Sequence, residues 1–327
     1  YAPDEDVLIT SGNNNISVHN IRGDIIIGGN SFSKSSKSSK FSRLKSQNEP
    51  EWLKNIRLNI HVRLVESQRL LNLSSVYNSK LETASMIPTV SAYSEELAQI
   101  MRDKFGEYGI ISQSLDRTFP TRLVQRQSSP NSTDRQLRER LEQLEITRSR
   151  LISIGLLDRT ENSDFPVQPP AMDESTKNIL SVYVEDVEKK LSVFNDIANK
   201  IDLLKEIINS KFTYKEISFN KRKGFVFRTL SDFSISDSDT LLPTDLSSGE
   251  QHELVLLYQL LFKVEPKSLV LIDEPELSLH VGWQVQFLKD LQEIVKLADL
   301  DILMATHSPD IIQDRWDLTV ELQGMKK

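Results

Sequence analysis

The sequence predicts an α/β protein in which helices flank a mixed sheet, an antiparallel β meander lies beside it, and a short antiparallel helical arm is inserted. Three observations predict this fold class. Short β-branched runs separated by turns begin the chain, leucines at heptad-like spacing occupy its middle, and apolar strands alternate with helices near its end. The head is therefore expected to be discontinuous, with residues 1–127 and 212–327 forming it and residues 128–211 forming the helical insertion.

The first part of the chain has the pattern of a β meander. Residues 7–10, 16–19 and 24–28 are short β-branched runs separated by turns that contain glycine. Residues 31–48 are rich in serine and lysine, a composition more typical of a solvated linker than of a phosphate-binding loop. Residues 55–65 alternate apolar and polar side chains, which predicts a half-buried strand.

The middle of the chain predicts helices. Residues 94–105 have a helical pattern, and residues 128–134 form a break that contains helix-start residues. Two heptad-like stretches follow, and the proline-rich segment 164–170 between them cannot be helical. The second stretch runs from residue 180 to residue 208, and the first is marked by Leu137, Leu141, Leu144 and Leu151. This pattern predicts two antiparallel helices, the longer of which would span about 45–50 Å.

The last part of the chain alternates strands and helices. Short strands are expected at residues 212–214 and 225–227. The pattern then predicts, in order, helix 249–263, strand 268–273, helix 282–297, strand 301–305, helix 308–313 and strand 318–322. The continuous apolar run 269–272 is typical of a strand that is buried on both faces of a mainly parallel sheet.

Composition excludes several classes of protein. The chain has 327 residues, a formal net charge of −7 and no cysteine, so disulfides, cysteine zinc sites and thiol nucleophiles are excluded. It contains no apolar run of the roughly 18 residues that a membrane span requires. We therefore expect a cytoplasmic protein without a membrane partner. Because Tyr1 rather than methionine comes first, we also expect a part of a longer protein.

Two carboxylates stand at the end of the predicted strand 268–273. Asp273 and Glu274 would lie at the edge of the sheet where open α/β proteins bind ligands. A carboxylate at the position of Asp273 can hold Mg²⁺, which usually keeps several waters and one or two protein carboxylates. Glu274 can orient or deprotonate an attacking water. The alternative is that these acidic residues only end the strand.

Two further motifs have both a functional and a structural interpretation. His307 follows the next predicted strand, where it can donate a hydrogen bond to a terminal phosphate, although a lone histidine after a strand is usually structural. Ser247, Ser248 and Gly249 open a predicted helix, where a hydroxyl and accessible backbone N–H groups form an anion site. Taken alone, this turn is better explained as a helix cap.

Together the three motifs resemble the signature, the Walker B strand and the switch histidine of the ABC-type ATPases. Ser248 stands where the signature usually has its first glycine. The resemblance implies an ABC ATPase head that forms a homodimer or a higher homo-oligomer. ATP would lie between two heads, and each head would supply Ser247, Ser248 and Gly249 to the nucleotide held by the other.

The resemblance also implies roles for the remaining residues. Asp273 matches the Walker B aspartate that binds Mg²⁺, Glu274 matches the catalytic glutamate, and His307 matches the switch histidine. Gln68 follows a predicted strand at the place where the family has a glutamine that contacts the metal and the nucleotide. An exposed glutamine at a strand end is the alternative for Gln68.

One motif of the ABC-type ATPases does not occur in this sequence. It contains no Gly-x-x-x-x-Gly-Lys-Ser/Thr loop, and the turn at residues 28–31 has no lysine. The family places this loop before the β meander. We therefore expect it in a segment upstream of Tyr1.

The inserted helices resemble those of the SMC and RecF-like branch. Residues 273–280 and 305–309 look like the ATPases of the bacterial "overcoming lysogenization defect" group. Residues 112–123 resemble the ATPase subunit of the Septu system, PtuA. That resemblance implies control of a separate HNH nuclease (PtuB-like) in antiphage defence and, by likeness to relatives encoded beside retrons, partnership with a retron reverse transcriptase and its DNA. A DNA-repair ATPase, or a non-hydrolysing nucleotide sensor and scaffold, are the alternatives.

Overall fold

The computed structural model describes residues 7–12, 15–20, 51, 61–66, 69–78, 81–125, 133–159, 173–230 and 240–320. Its strands are β1 (Val7–Gly12), β2 (Asn15–Asn20), β3 (His61–Val65), β4 (Leu71–Asn78), β5 (Leu81–Pro88), β6 (Lys215–Asn220), β7 (Gly224–Thr229), β8 (Thr240–Leu241), β9 (Ser268–Asp273) and β10 (Asp301–Ala305). Its helices are α1 (Thr89–Gln125), α2 (Asp134–Ser153), α3 (Glu174–Ser192), α4 (Asn195–Lys211), α5 (Ser248–Tyr258), α6 (Val281–Ala298) and α7 (Pro309–Ile312). None of these helices has the length and apolar character needed to cross a bilayer.

The central sheet is parallel. Strand β9 lies between β10 and β3 and pairs with both in the parallel direction, so the three strands end at one edge of the sheet. The remaining strands pair antiparallel, as the two-stranded sheets β1–β2 and β4–β5 and the three-stranded sheet β6–β7–β8. The predicted α/β class, with a parallel sheet and flanking helices, is therefore confirmed.

Only one face of the central sheet is fully covered. Val270 and Ile272 of β9 are buried in the core that also contains Phe287 of α6. Leu271 points to the other face and is half-buried, and its in-register neighbours Leu64 and Leu303 are 41% and 63% exposed. Among the described residues, the predicted burial of β9 is therefore found on one face, where the core helices pack, and burial of the other face stays a prediction.

Helix α1 connects the sheets to the other helices. It has 37 residues and continues well beyond the predicted helix 94–105. Near its start, the Ser94 hydroxyl donates to the carbonyl of Lys223 at 2.8 Å and accepts from the N–H of Phe225 at 2.9 Å. Near its end, the Arg122 guanidinium pairs with the Asp186 carboxylate on α3, with Nη2 and Oδ2 2.7 Å apart. One helix therefore packs against both the head and the inserted helices.

The inserted segment contains three helices in its described part. Thr133 caps α2 through a reciprocal capping box with Gln136, and the four leucines of the first heptad-like stretch are buried. The second stretch forms two helices, α3 and α4. The prediction of a single long helix is therefore wrong. The break falls at Val193 and Phe194, where the N–H of Phe194 donates to the carbonyl of Leu191 at 3.0 Å and the carbonyl of Phe194 accepts the N–H of Ala198 at 2.8 Å as α4 begins. A projecting coiled-coil arm and the two boundaries that separate the three predicted segments stay predictions.

Two predicted strands have a different structure. At residues 212–214 the chain turns, since Tyr214 has a left-handed backbone with φ of 64°, and the strand begins only at Lys215. Trp316–Leu318 is a 3-10 turn held by a hydrogen bond from the N–H of Leu318 to the carbonyl of Arg315. Several predicted features lie outside the described residues, namely strand 24–28, segment 31–48, residues 55–60, Gln68 and residues 321–322.

The turn before β7 requires glycine. Gly224 has φ of +71°, and a Cβ atom there would lie 1.8 Å from the carbonyl oxygen of Ser94. We expect Gly224→Ala to lower the free energy of unfolding by at least about 2 kcal/mol, because both the backbone conformation and the contact become strained. Gly106→Ala is the matched control, since nothing lies within 4 Å of its Cβ position on α1. Equal stability of both variants in chemical denaturation would contradict this account of the turn.

Candidate functional site

The candidate site lies at the edge where β9 and β10 end. Asp273 is the last residue of β9, is exposed, and is in register with Ala305. The next residue, Glu274, has a left-handed backbone with φ of 41° and ψ of 58°. This conformation costs a residue with a side chain about 1–2 kcal/mol. Its N–H donates to the carbonyl of Ala305 at 2.9 Å, which fixes the turn against the neighbouring strand.

The structure brings Glu274 and His307 side by side. His307 Nδ1 lies 3.7 Å from Glu274 Oε1, and the two side chains are 71% and 43% exposed, respectively. Since both follow parallel neighbouring strands, their approach is a direct result of the sheet topology. A carboxylate and an imidazole that are open to a ligand at this edge can act together on a water or a phosphate.

A third acidic side chain, Glu276, holds the loop that carries His307. Its carboxylate accepts hydrogen bonds from the Thr306 hydroxyl at 2.9 Å and from the backbone N–H of His307 at 2.9 Å. His307 Nδ1 lies 3.2 Å from Glu276 Oε1, and the Glu276 side chain is only 7% exposed. Glu276 has no role among the motifs named from the sequence, although its carboxylate two residues after Glu274 was a usable signal.

Further hydrogen bonds attach this loop to α6. The N–H of Ser308 donates to the Thr306 hydroxyl at 3.1 Å, and the Ser308 hydroxyl donates to Gln284 Oε1 at 2.7 Å. Gln284 is buried and its amide donates to the carbonyl of Leu279 at 3.4 Å. The position of His307 is therefore set by the buried polar residues around it as well as by its own strand.

Ser247, Ser248 and Gly249 lie at the start of α5, as the sequence predicts. Ser247 is the N-cap: its hydroxyl accepts from the N–H of Glu250 at 3.4 Å, and its own N–H donates to Glu250 Oε2 at 2.8 Å. This capping box agrees with the structural interpretation of the motif. Ser247 and Ser248 are nevertheless exposed, so this helix start is open to an anion or to another protein.

Glu250 fixes the turn formed by Ser247, Ser248 and Gly249, here called the signature turn, to the antiparallel sheet. Its carboxylate is bonded by the Lys215 ammonium at 2.7 Å. Burial acts to raise the pKa of Glu250, but the hydrogen bonds from Lys215 and Ser247 outweigh it and hold this pKa below its ordinary value. The charged form of Glu250 is thus the one that supports the cap.

A buried ionic cluster lies behind α5, the signature helix that begins after the signature turn. The Lys211 ammonium at the end of α4 contacts the Glu253 carboxylate on α5, and it lies 2.7 Å from Asp290 Oδ2 on α6. Lys211 and Glu253 are 0% exposed. Burial raises the pKa of Glu253, and the two carboxylates raise the pKa of Lys211 in spite of its burial. Sequence patterns did not reveal this cluster, because its members come from three separate helices.

The other residues named from the sequence have different outcomes. Gln68 lies outside the described residues, so its role stays a prediction. His280 is exposed and caps α6, where its Nδ1 accepts from the N–H of Gly282 at 3.2 Å. Within the described part of the chain, no three His, Asp or Glu side chains gather as a metal cluster. Of the two predicted metal ligands, Asp273 and Gln68, Asp273 is the one that the structure describes, and water and phosphate oxygens would supply most of the other ligands of a Mg²⁺ ion.

Comparisons with known proteins agree with an ATPase-type domain. Residues 25–313 match the family model described as "AAA domain, putative AbiEii toxin, Type IV TA system". The chain is 38% identical to protein ea59 of Escherichia phage lambda over 69 residues, which cover 21% of this chain and 13% of that protein. It is 25% identical to an uncharacterized ABC transporter ATP-binding protein of Mycobacterium tuberculosis over 173 residues, in the strains CDC 1551 and H37Rv, covering 52% of this chain and 67% of that protein.

These matches support an ABC-like domain that binds ATP. The chain spans only a small part of the phage protein, so that protein as a whole is no guide to the activity of this one. The family model covers most of the chain, from residue 25, which follows β2, to residue 313, which follows α7. The chain therefore belongs to the family of AAA domains described as putative AbiEii toxin, type IV TA system.

Proposed function

We propose that this protein is an ATP-hydrolysing head in which ATP binds at the edge of the central sheet and is shared between two copies. The observation that carries the proposal is the placement of Glu274 and His307, 3.7 Å apart and open to solvent, beside the exposed Asp273. ATPases need a water-activating group, a phosphate contact and a metal ligand in one place. These three side chains supply that combination.

Each side chain has a distinct task in the proposed reaction. Asp273 would hold Mg²⁺, and one exposed carboxylate fits this task because Mg²⁺ keeps waters and phosphate oxygens as its other ligands. When bound, the ion would neutralise charge on the phosphates. Glu274 accepts the proton of the attacking water or orients that water toward the terminal phosphate. His307 contributes a second polar contact, to the attacking water or to the terminal phosphate.

The signature turn supports the shared-nucleotide part of the proposal. The exposed Ser247 and Ser248 stand at the N-terminal end of α5, where free N–H groups and the helix dipole favour an anion. Gly249 allows close approach of a phosphate to the backbone. A phosphate on a second copy is the ligand that we propose for this turn, and it gives a homodimer as the smallest active unit.

Ser247→Arg tests this pairing. We expect the variant to lose ATP-dependent dimerisation, because a long cationic side chain would fill the helix start that receives the phosphate of the other copy. The measurement is light scattering of the full-length protein with and without ATP and Mg²⁺. Ser247→Ala is the control, since it loses the same helix cap, at a cost of about 1 kcal/mol, without adding bulk. Unchanged ATP-driven dimerisation of Ser247→Arg would reject the shared site.

The proposal also requires a phosphate-binding loop with a lysine. We propose that a segment upstream of Tyr1 carries it, as the resemblance to ABC-type ATPases implies. The in-register row of Leu64, Leu271 and Leu303 on the open face of the central sheet gives such a segment an apolar surface on which to pack. Burial of such a row would stabilise the head by about 25 cal/mol for each Å² covered.

The biological role is a further part of the proposal. The resemblance of residues 112–123 to the Septu ATPase PtuA favours control of a separate HNH nuclease (PtuB-like) in antiphage defence, and a retron reverse transcriptase with its DNA is the additional partner that we propose. A DNA-repair ATPase is the second candidate, because the inserted helices resemble the SMC and RecF-like branch. An HNH nuclease gene beside this gene would favour defence. A neighbouring group of replication or recombination genes would favour repair.

A further inference from the structure

We infer that Glu276 is a positioning residue that fixes the tautomer of His307 and makes Nε2 the nitrogen that faces a ligand. The inference rests on the proposed function, since it concerns the same site. It starts from the contrast between the buried Glu276 side chain, which is 7% exposed, and the His307 side chain, which is 71% exposed. The Glu276 side chain is enclosed and holds the His307 loop, whereas the His307 side chain remains open to a ligand.

The proton positions follow from which groups can donate. Glu276 Oε1 accepts the backbone N–H of His307 at 2.9 Å and lies 3.2 Å from Nδ1 of the same residue. Glu276 Oε2 accepts the Thr306 hydroxyl at 2.9 Å. Since a carboxylate only accepts hydrogen bonds, a proton on Nδ1 is favoured at this contact, because it keeps the Nδ1 lone pair from facing Glu276 Oε1. The second carboxylate near Nδ1, that of Glu274 at 3.7 Å, favours the same arrangement.

The tautomer decides what His307 does. In a neutral ring with the proton on Nδ1, the opposite nitrogen Nε2 has a free lone pair and accepts a hydrogen bond. The neutral side chain then acts on a donor, such as the attacking water, and not on a phosphate oxygen, which is itself an acceptor. This refines the expectation from sequence that His307 donates to the terminal phosphate. His307 and Glu274 would therefore orient the same water.

Nitrogen NMR of the full-length protein tests the tautomer directly. With ¹⁵N-labelled histidine at pH 8, two-bond correlations between ring nitrogens and carbon-bound protons distinguish Nδ1–H from Nε2–H. The chain has five histidines, and the signals of His307 are those that disappear in His307→Ala. We expect the Nδ1–H pattern for wild-type His307. An Nε2–H pattern, or a ring protonated on both nitrogens at this pH, would overturn the inference.

Two variants of Glu276 separate the acceptor from the charge. Glu276→Met keeps the approximate volume but removes the acceptor, so the Nδ1–H pattern should be lost. Glu276→Gln keeps an amide oxygen at the same place and should retain most of it. Glu293→Met, an exposed position on α6, is the control and should leave His307 unchanged. An Nδ1–H pattern that persists in Glu276→Met would show that another group holds the proton.

Kinetics provide a second readout. We expect Glu276→Met to lower kcat for ATP hydrolysis by about 10- to 100-fold with KM for ATP little changed, because Glu276 positions a catalytic group without contacting the nucleotide. Glu276→Gln should recover most of that loss. If wild-type protein hydrolyses no ATP but His307 shows the Nδ1–H pattern, the proposed function fails and the tautomer assignment stands. If ATP is hydrolysed and the pattern is Nε2–H, only the role of Glu276 fails.

Discussion

Replacing Glu274 with glutamine is expected to reduce kcat for ATP hydrolysis by about 10²- to 10⁴-fold, with little effect on ATP binding. The amide has the shape of the carboxylate but cannot accept the proton of an attacking water, and general-base catalysis contributes a rate factor of this size. The exposed position of Glu274 beside His307 leaves it accessible to such a water. Steady-state hydrolysis by the full-length protein, with binding of ATP measured separately by calorimetry, gives the two quantities.

The Glu274→Gln experiment includes a control for the backbone. Glu274 has a left-handed conformation, and glutamine has the same backbone preferences, so the thermal stability of the variant should match that of the wild type. Glu293→Gln, which removes an exposed carboxylate from α6, should hydrolyse ATP at the wild-type rate. If the wild-type protein hydrolyses ATP no faster than Glu274→Gln, Glu274 is not catalytic. The protein would then be a nucleotide sensor or scaffold.

The largest effect on stability is expected for Lys211. Lys211→Met should lower the free energy of unfolding by about 3–5 kcal/mol, because it removes the ammonium that contacts both the fully buried Glu253 carboxylate and the Asp290 carboxylate. Guanidinium unfolding of the full-length protein measures the loss. Lys190→Met is the control: it breaks an ion pair with Asp116, which is 69% exposed, and it should cost less than about 1 kcal/mol.

A double variant shows that the loss comes from the buried charge. Adding Glu253→Gln to Lys211→Met removes one of the two carboxylates that have lost the Lys211 ammonium, so the double variant should be more stable than the sum of the two single losses predicts. The difference should be at least about 1 kcal/mol, as is found for contacting residues. Additive losses, or a Lys211→Met loss no larger than that of Lys190→Met, would show that the cluster does not contribute as proposed. The cluster joins α4, α5 and α6, so the same variant tests whether the signature helix depends on the inserted helices.

Local patterns predicted the elements that form the candidate site. The apolar runs of β9 and β10 followed from hydrophobicity, and the helix start at Ser247 followed from capping residues. Because strands on either side of a crossover helix end at the same edge of a parallel sheet, the nearness of Glu274 and His307 also follows from the chain order. The catalytic and binding roles of the named residues stay predictions until the variants are measured.

The same local patterns could not predict long-range contacts. The length of α1, the break between α3 and α4, and the open face at Leu271 each depend on which other element packs against the segment. Glu276 shows most clearly what local sequence patterns cannot predict. Its carboxylate meets residues about thirty positions later in the chain, and no local periodicity encodes that distance.

The sequence by itself determined the fold class, the order of strands and helices near the C-terminus, and the positions of Asp273, Glu274 and His307 at strand ends. It did so because backbone periodicity and turn chemistry act over a few residues. Only the tertiary structure decided that Glu276 holds the His307 loop and that Lys211 is enclosed by Glu253 and Asp290. Those contacts depend on how distant helices and loops pack, because hydrogen bonds and ion pairs act between side chains that meet in space wherever they lie along the chain.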